Sequence, residues 1–161
     1  MKKGILAVSF GTSHIDTMEK TIDVLEKEFA KTFEEAVVYR AFTSNMIIKK
    51  LKRTANIKVQ TVGEALEKMA ADGIEEVIVQ PTHVINGIEN DRMLQEVMEH
   101  MHLFRKVYVG KPLLSSVEDY KKAIHAVMEK TVIGEDEMLV LMGHGTDHHA
   151  NSAYPTLEYT F

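Results

Sequence analysis

The sequence MLVLMGHGTDHH, at positions 138–149, joins five apolar residues to a glycine and then to a cluster of polar side chains. An apolar run of this length that is closed by glycine predicts a buried strand with a polar tip. Three of the eight histidines of the chain lie in this tip, namely His144, His148 and His149. Histidine can ligate a divalent metal and can accept a proton near neutral pH. The stretch therefore indicates a functional site, and a solvated surface loop is the alternative reading.

The composition is that of an ordinary globular domain. The chain has 161 residues, of which 45% are hydrophobic and 27% charged, enough for one buried core. Its apolar runs are of strand length, so we expect neither a membrane span nor an N-terminal signal peptide. The absence of cysteine excludes disulfides and thiolate metal sites and fits a cytoplasmic protein. The net charge of −5 predicts no nucleic-acid-binding surface.

Strand patterns and helix patterns alternate along the chain. Between the apolar runs lie stretches of helical spacing, such as the one with Met18, Ile22, Leu25 and Phe29 on one face. Alternation of this kind predicts βαβ units, hence an α/β fold with a mostly parallel sheet and helices on both of its faces. The five predicted strands are 5–10, 36–42, 77–80, 106–110 and 138–142.

Capping patterns mark where several helices begin. Ser44 and Ser116 each precede a helical stretch, and Thr61 with Glu64 three residues later forms a capping-box pattern. Asp16 with Glu19 suggests a further cap.

Three polar loops follow predicted strands, at 9–14, 81–91 and 143–149. Ligands of open parallel sheets bind outside the carboxyl ends of the strands. Because these ends meet at one edge of the sheet, we expect residues from all three loops to share a cleft. The candidates are His14, His83, Glu89, Asp91 and His144.

The chain also contains an internal echo. Residues 8–14, VSFGTSH, match residues 142–148, MGHGTDH, at Gly, Thr and His, with an offset of 134 residues and a predicted strand before each. A match of seven residues is weak by itself, and chance is the alternative explanation. If the echo is real, the last strand begins a second copy of the first lobe.

These motifs resemble those of the anaerobic sirohydrochlorin cobaltochelatases, the CbiK family of the class II chelatases. The resemblance extends along the whole chain and implies two similar α/β lobes that face each other across a cleft. On this basis residues 1–134 are the N-terminal lobe, and residues 135–161 are the first strand and the helix start of a second, truncated lobe. The stretches that carry it are 8–13, 40–51, 85–89, 112–116, 142–145 and 148–150.

The resemblance implies insertion of Co2+ into sirohydrochlorin on the oxygen-independent route to cobalamin. Sirohydrochlorin is then the partner, Co2+ is the substrate metal, and no organic cofactor is expected. His144 matches the cleft histidine of the family, a metal ligand and proton acceptor. Glu89 matches the cleft glutamate, which could guide the ion or accept a proton. The alternative for Glu89 is an acidic residue in the first turn of a helix, favoured there by the helix dipole.

Substrate binding is expected in the loop after the first strand. Sirohydrochlorin is a polycarboxylate and the chain is acidic overall, so the attraction must be local. Backbone N–H groups of Gly11, Thr12 and Ser13 at a helix start would form an anion site. Phe10 would lie against the macrocycle, and His14 would lie beside a carboxylate. The roles of His83, His148 and His149 stay open.

Family members are expected to run on for about another hundred residues, the size of a lobe. The resemblance implies that this segment completes the metal site with a further histidine and a glutamate. We therefore expect the chain alone to bind cobalt weakly and to catalyse little. The unpaired fifth strand could be exchanged between two copies, which would give a homo-oligomer.

Other functions stay possible on the sequence alone. They are a non-catalytic module that binds a tetrapyrrole or a metal, and a chelatase that inserts nickel or iron. A metal-dependent hydrolase that uses His144, His148 and His149 is disfavoured, because Gly145 interrupts the helical spacing and no glutamate stands in the general-base position.

Overall fold

Four parallel strands form the centre of the molecule. The computed structural model describes all residues, 1–161. The sheet order is β2-β1-β3-β4, and each neighbouring pair is parallel. The predicted α/β fold with a parallel sheet is confirmed, and the first four predicted strands are correct to within two residues at each end. The strands are β1 (Lys3–Ser9), β2 (Ala36–Phe42), β3 (Glu76–Pro81) and β4 (Lys106–Val109).

Seven α-helices accompany the sheet. The predicted caps at Ser44, Thr61 and Ser116 are confirmed, since each hydroxyl accepts the N–H three residues on. Asp16 makes no cap, because His14 takes the N-cap position. None of the helices is both long and apolar enough to cross a bilayer. They are α1 (Ile15–Lys20), α2 (Ile22–Thr32), α3 (Asn45–Ala55), α4 (Val62–Ala71), α5 (Ile88–His100), α6 (Val117–Lys130) and α7 (Ala153–Thr160).

The helix predicted from Met18 to Phe29 is divided in two at Thr21. Thr21 leaves the helical region with φ −126° and ψ −77°, and its hydroxyl donates to the carbonyl oxygen of Thr17 at 2.7 Å. A threonine that bonds back to the preceding turn bends helices. The break therefore separates α1 from α2, although the apolar spacing runs through it.

Helices cover both faces of the sheet, as predicted. Side chains alternate between faces along a strand. On β2, Ala41 joins the main core with residues of α4 and α5, whereas Arg40 points the other way and pairs with Asp23 and Glu26 of α2. The main core contains Leu6, Val8, Ala41, Val62, Ala65, Leu66, Met69, Ile74, Val77, Val79, Met93 and Val97.

The predicted fifth strand over residues 138–142 is wrong. This segment has no regular secondary structure and pairs with no strand, and β4 is bonded on one side only, to β3. Met138, Val140 and Met142 are 84%, 75% and 96% exposed. A strand is completed by the ladder it forms with a neighbour. Apolar patterning cannot show whether such a neighbour is present, and no segment of this chain serves as one.

Candidate functional site

The chain reverses direction across the sheet between β1 and β3. From β1 it passes to β2 on one side, and it later returns to place β3 on the other side. The loops after β1 and β3 therefore leave a crevice at the carboxyl ends of these strands, the usual ligand position in such sheets. The hydroxyls of Ser9 and Thr82 join the two strand ends at 2.8 Å.

A cavity of about 1180 Å³ occupies this crevice. Typical pockets for drug-sized ligands have roughly 300–1000 Å³, so the space admits a larger molecule. All three polar loops predicted to meet contribute to it. Its lining includes Ser9, Phe10, Gly11, Thr12, Thr82, His83, Glu89, Asn90, Arg92, His144, Thr146, Asp147 and Tyr154.

The loop after β1 presents Phe10 to the cavity, with the side chain 45% exposed. Gly11 turns the chain with φ +100°, a conformation that side chains disfavour. A Cβ at Gly11 would lie only 2.5 Å from the buried ring of Phe42. Glycine at this position therefore permits both the turn and the close packing on β2.

The predicted anion site at a helix start is not formed as expected. Helix α1 begins at Ile15, so Gly11, Thr12 and Ser13 lie in the loop before it. Their N–H groups nevertheless donate no hydrogen bond within the chain. Gly11 and Thr12 line the cavity, whereas Ser13 and His14 do not. His14 is exposed, and its N–H is bonded to the hydroxyl of Thr12 at 3.2 Å.

Glu89 lies in the first turn of α5 and lines the cavity. Its Oε1 accepts a hydrogen bond from Arg92 at 2.8 Å. Its Oε2 is buried and has no partner in the chain. Buried polar atoms are almost always bonded, so this oxygen is suited to bind a ligand atom or a water molecule. The position in the first turn also agrees with stabilisation by the helix dipole, so both readings of Glu89 are compatible with the structure.

His83 lines the same cavity as Glu89. Both of its ring nitrogens are buried and have no partner in the chain. Burial lowers the pKa of the His83 imidazole below its usual value, and the negative charge of Glu89 partly opposes this effect. The ring is therefore held in its neutral form near pH 7.

His144 is an exposed residue at the mouth of the cavity. Its Nδ1 lies 2.8 Å from the carbonyl oxygen of Gly145. A carbonyl can only accept, so Nδ1 carries the proton in this bond. In the neutral ring this leaves the lone pair of Nε2 available for a metal ion or a proton.

His148 and His149 differ in their surroundings. His148 is mostly buried, and its Nε2 lies 3.0 Å from the Asp91 carboxylate. His149 is exposed and its ring contacts that of His148, with centroids 3.8 Å apart and planes tilted by 39°. Of the five residues expected to converge, His83, Glu89 and His144 line the cavity, while His14 and Asp91 do not.

No three side chains of the histidine, aspartate or glutamate type come close enough together to hold a metal ion. His144 is thus not joined by Glu89 and a third ligand in one coordination sphere. The chain therefore has potential metal ligands around one cavity, but they do not converge on one point.

Sequence reasoning missed Arg92, the one lysine or arginine side chain that lines the cavity. Its guanidinium forms an ion pair with Glu89 at 2.8 Å. Its spacing of three residues from Glu89 on one helix was the available signal. Asn90 was missed as well; its Oδ1 is buried without a partner, and its amide bonds Asn86.

Comparison with known proteins identifies close relatives. The sequence model of the family described as cobalt chelatase (CbiK) matches residues 3–161. A sirohydrochlorin cobaltochelatase of Salmonella typhimurium is 42% identical over 160 residues, which cover 99% of this chain and 61% of that protein. The sirohydrochlorin cobaltochelatase CbiKC of Nitratidesulfovibrio vulgaris is 34% identical over 160 residues, covering 97% and 56%.

A solved structure, a cobalamin (vitamin B12) biosynthesis CbiX protein of Marinobacter aquaeolei VT8, superposes with a TM-score of 0.52. It is 15% identical and covers 81% of this chain and 94% of its own, which supports the fold alone. The chain spans about three fifths of the length of the curated relatives that it matches. On the family match along nearly its whole length and on the identity to these relatives, this chain belongs to the cobalt chelatase (CbiK) family.

Proposed function

We propose that this chain takes part in the insertion of Co2+ into sirohydrochlorin in anaerobic cobalamin biosynthesis, in the cytoplasm. The observation that carries the proposal is a pair of atoms at one cavity that can bind a metal ion or a proton and have no partner in the chain. They are Nε2 of His144 and Oε2 of Glu89. Membership of a cobalt chelatase family supports the same reaction.

The chemistry requires a metal ligand and proton acceptors. Insertion of a divalent ion into the macrocycle breaks two pyrrole N–H bonds, and the two protons must leave. Neutral His144 can bind the incoming ion through Nε2 or accept a proton there. The Glu89 carboxylate can attract the ion or take up a proton, because its Oε2 has no other partner.

The cavity wall suits a flat molecule with carboxylate substituents. Phe10 offers an exposed ring for the macrocycle face. The unbonded N–H groups of Gly11 and Thr12, together with the Arg92 guanidinium, can bind carboxylates. Ser13 and His14 would act at the periphery, since neither lines the cavity.

The direct test is the formation of cobalt-sirohydrochlorin, followed by absorbance and by the mass of the product. We expect His144→Ala to lower the rate by about 100-fold or more, within the range found when a proton-transfer group is removed. His125→Ala is the matched control, because His125 is exposed on α6 and bonds only Glu129. Equal rates for the two variants would contradict the role of His144.

The lack of three converging ligands favours a second candidate, a tetrapyrrole- or metal-binding module without catalysis. In this view residues 135–161 begin a second lobe that would complete the site, and the chain alone turns over little. Glu89→Gln then leaves tetrapyrrole binding intact while no variant yields a metallated product.

The same assay with Ni2+ and Fe2+ separates a nickel or iron chelatase from the cobalt enzyme. Size-exclusion chromatography tests whether two copies exchange the unpaired segment 138–142.

A further inference from the structure

The segment that carries His144 is held to the rest of the molecule by a single hydrogen bond. Among all hydrogen bonds and ion pairs of the structure, only that between His148 and Asp91 joins residues 132–161 to residues 1–130. The remaining bonds of this segment are internal to it, and its other attachment is apolar packing, with Ala150 and Ala153 buried. Apolar contact is not directional, so it permits sliding that a hydrogen bond does not.

The His148 ring connects two structures through its two nitrogens. Nδ1 accepts the N–H of Ala150 at 3.1 Å and so caps the short 3-10 helix over His149–Ser152. Nε2 must then carry the proton of the neutral ring, and it donates to the Asp91 carboxylate at 3.0 Å. The His148 side chain is 13% exposed and that of Asp91 is 55% exposed, so the bond lies at the protein surface and is shielded on the histidine side only. One nitrogen orders the turn locally, and the other fixes the turn to α5.

The position of this bond relates it to both candidate catalytic groups. Asp91 lies two residues after Glu89 in the first turn of α5, and His148 lies four residues after His144. Neither Asp91 nor His148 lines the cavity. The bond therefore joins the element that carries the carboxylate to the segment that carries the imidazole, without touching a bound molecule itself.

We infer that the Asp91–His148 hydrogen bond is a positioning contact that holds His144 over the cavity at a fixed place relative to Glu89. The effect of this contact on the metallation rate rests on the proposed function. Its effect on the position of the segment does not. Asp91 and His148 are positioning residues, and both act through the segment that they join. A shift of about 1 Å in a reacting group can cost roughly 100-fold in rate, so one such bond is significant.

The test uses spin-label distances, which do not depend on activity. The chain has no cysteine, so Met46→Cys on α3 and Ser152→Cys beside the His148 turn give two unique labelling sites. Met46 is 74% exposed, and the Ser152 side chain makes no hydrogen bond. Double electron–electron resonance then reports the distribution of distances between the segment and the sheet domain.

Two substitutions of His148 separate its two bonds. His148→Gln places an N–H near the position of Nε2 and keeps the link to Asp91, whereas His148→Asn keeps an acceptor near Nδ1 and loses the link. We expect a narrow distribution for the parent and His148→Gln, and a broadened, shifted one for His148→Asn and Asp91→Ala. His125→Ala is the control, because His125 is exposed on α6 and pairs only with Glu129. Unchanged distributions in His148→Asn and Asp91→Ala, with circular dichroism intact, would overturn the inference.

The metallation rate forms a separate arm. We expect His148→Asn to lower the rate with Co2+ and sirohydrochlorin by about tenfold to 100-fold, with KM for the tetrapyrrole little changed, and His148→Gln to recover it. If neither the parent chain nor any variant metallates sirohydrochlorin, the non-catalytic binding module is favoured over catalysis by this chain, while the distances still decide the positioning contact. If the distances change but a measurable rate does not, the structural link stands and its catalytic consequence is refuted.

Discussion

Residues 4–14 and 138–148 each join an apolar run to a turn with matching Gly, Thr and His, yet only the first run forms a strand. In the first, Leu6 and Val8 lie in a central strand with a neighbour on each side and are fully buried. Their counterparts at the offset of 134, Val140 and Met142, lie in an unpaired segment and are 75% and 96% exposed. Two similar apolar runs thus differ in structure: the first forms a buried strand, and the second forms no strand.

The turns that follow the two stretches are nevertheless alike. Gly11 and Gly145 both have positive φ, +100° and +75°. The N–H of His14 bonds the hydroxyl of Thr12 at 3.2 Å, and the N–H of His148 bonds that of Thr146 at the same distance. Each histidine is the N-cap of a following helical turn. The echo is therefore present in the structure of the turns, which local interactions determine, and absent from the strands, which need partners.

The largest expected difference concerns the two apolar runs. Leu6→Ala removes a fully buried side chain from the core and should lower the free energy of unfolding by about 2–5 kcal/mol. Val140→Ala changes an exposed side chain and should alter it by no more than about 0.5 kcal/mol. Urea denaturation followed by circular dichroism measures both. A cost above 2 kcal/mol for Val140→Ala would show that residues 138–142 are paired in solution.

The next largest difference is expected between the stability losses of two Gly→Ala substitutions. Gly11→Ala adds strain at positive φ and a Cβ 2.5 Å from the Phe42 ring, so we expect a loss of about 2–4 kcal/mol. Gly145→Ala adds only the backbone strain, since no atom lies within 4 Å of its Cβ position. It should lower the free energy of unfolding by about 1 kcal/mol. Thermal unfolding of both variants gives the comparison. Equal costs would mean that Phe42 can move away from the turn.

His83, whose ring nitrogens are buried after β3, adds a pH dependence to the stability of the sheet domain. Burial lowers the pKa of folded His83 below its unfolded value, so the unfolded state binds more protons as the pH falls below about 6.5. Stability should therefore decrease on acidification through this range. His83→Gln should reduce the slope of unfolding free energy against pH between about 7 and 5. The same substitution at the exposed His102 is the control, and identical slopes for the two variants would contradict the assignment.

The smallest effect tests whether the two turns are equivalent. Thr12→Val and Thr146→Val each remove one hydroxyl acceptor of a backbone N–H. A hydrogen bond of this kind contributes roughly 0.5–1.5 kcal/mol, so the amides of His14 and His148 should exchange about two- to tenfold faster. Amide hydrogen exchange by NMR reads each turn separately. If only one of the two amides exchanged faster, the two turns would not be equivalent, and the similarity would be one of sequence only.

Much of the fold could be read from the sequence because its signals are local. Apolar spacing and the caps at Ser44, Thr61 and Ser116 depend on residues within a turn of one another. The three caps and four of the five predicted strands are confirmed. The break at Thr21 was not foreseen, because the apolar spacing continues through it. His83, Glu89 and His144 line one cavity, as the sequence predicts, and their roles there stay predictions. The shared edge of the sheet accounts for His83 and Glu89 after β3, but not for His144, because no strand of the sheet directly precedes it.

The sequence by itself determined the α/β class, the turns with their glycines, and the family to which the motifs point. The tertiary structure alone decided that residues 138–142 form no strand, that Arg92 faces the cavity, and that His148 bonds Asp91 across 57 positions of the chain. The physical reason is the range of the interactions. Propensities and caps act over a few residues, whereas strand pairing, burial and long-range hydrogen bonds depend on which distant segments become neighbours.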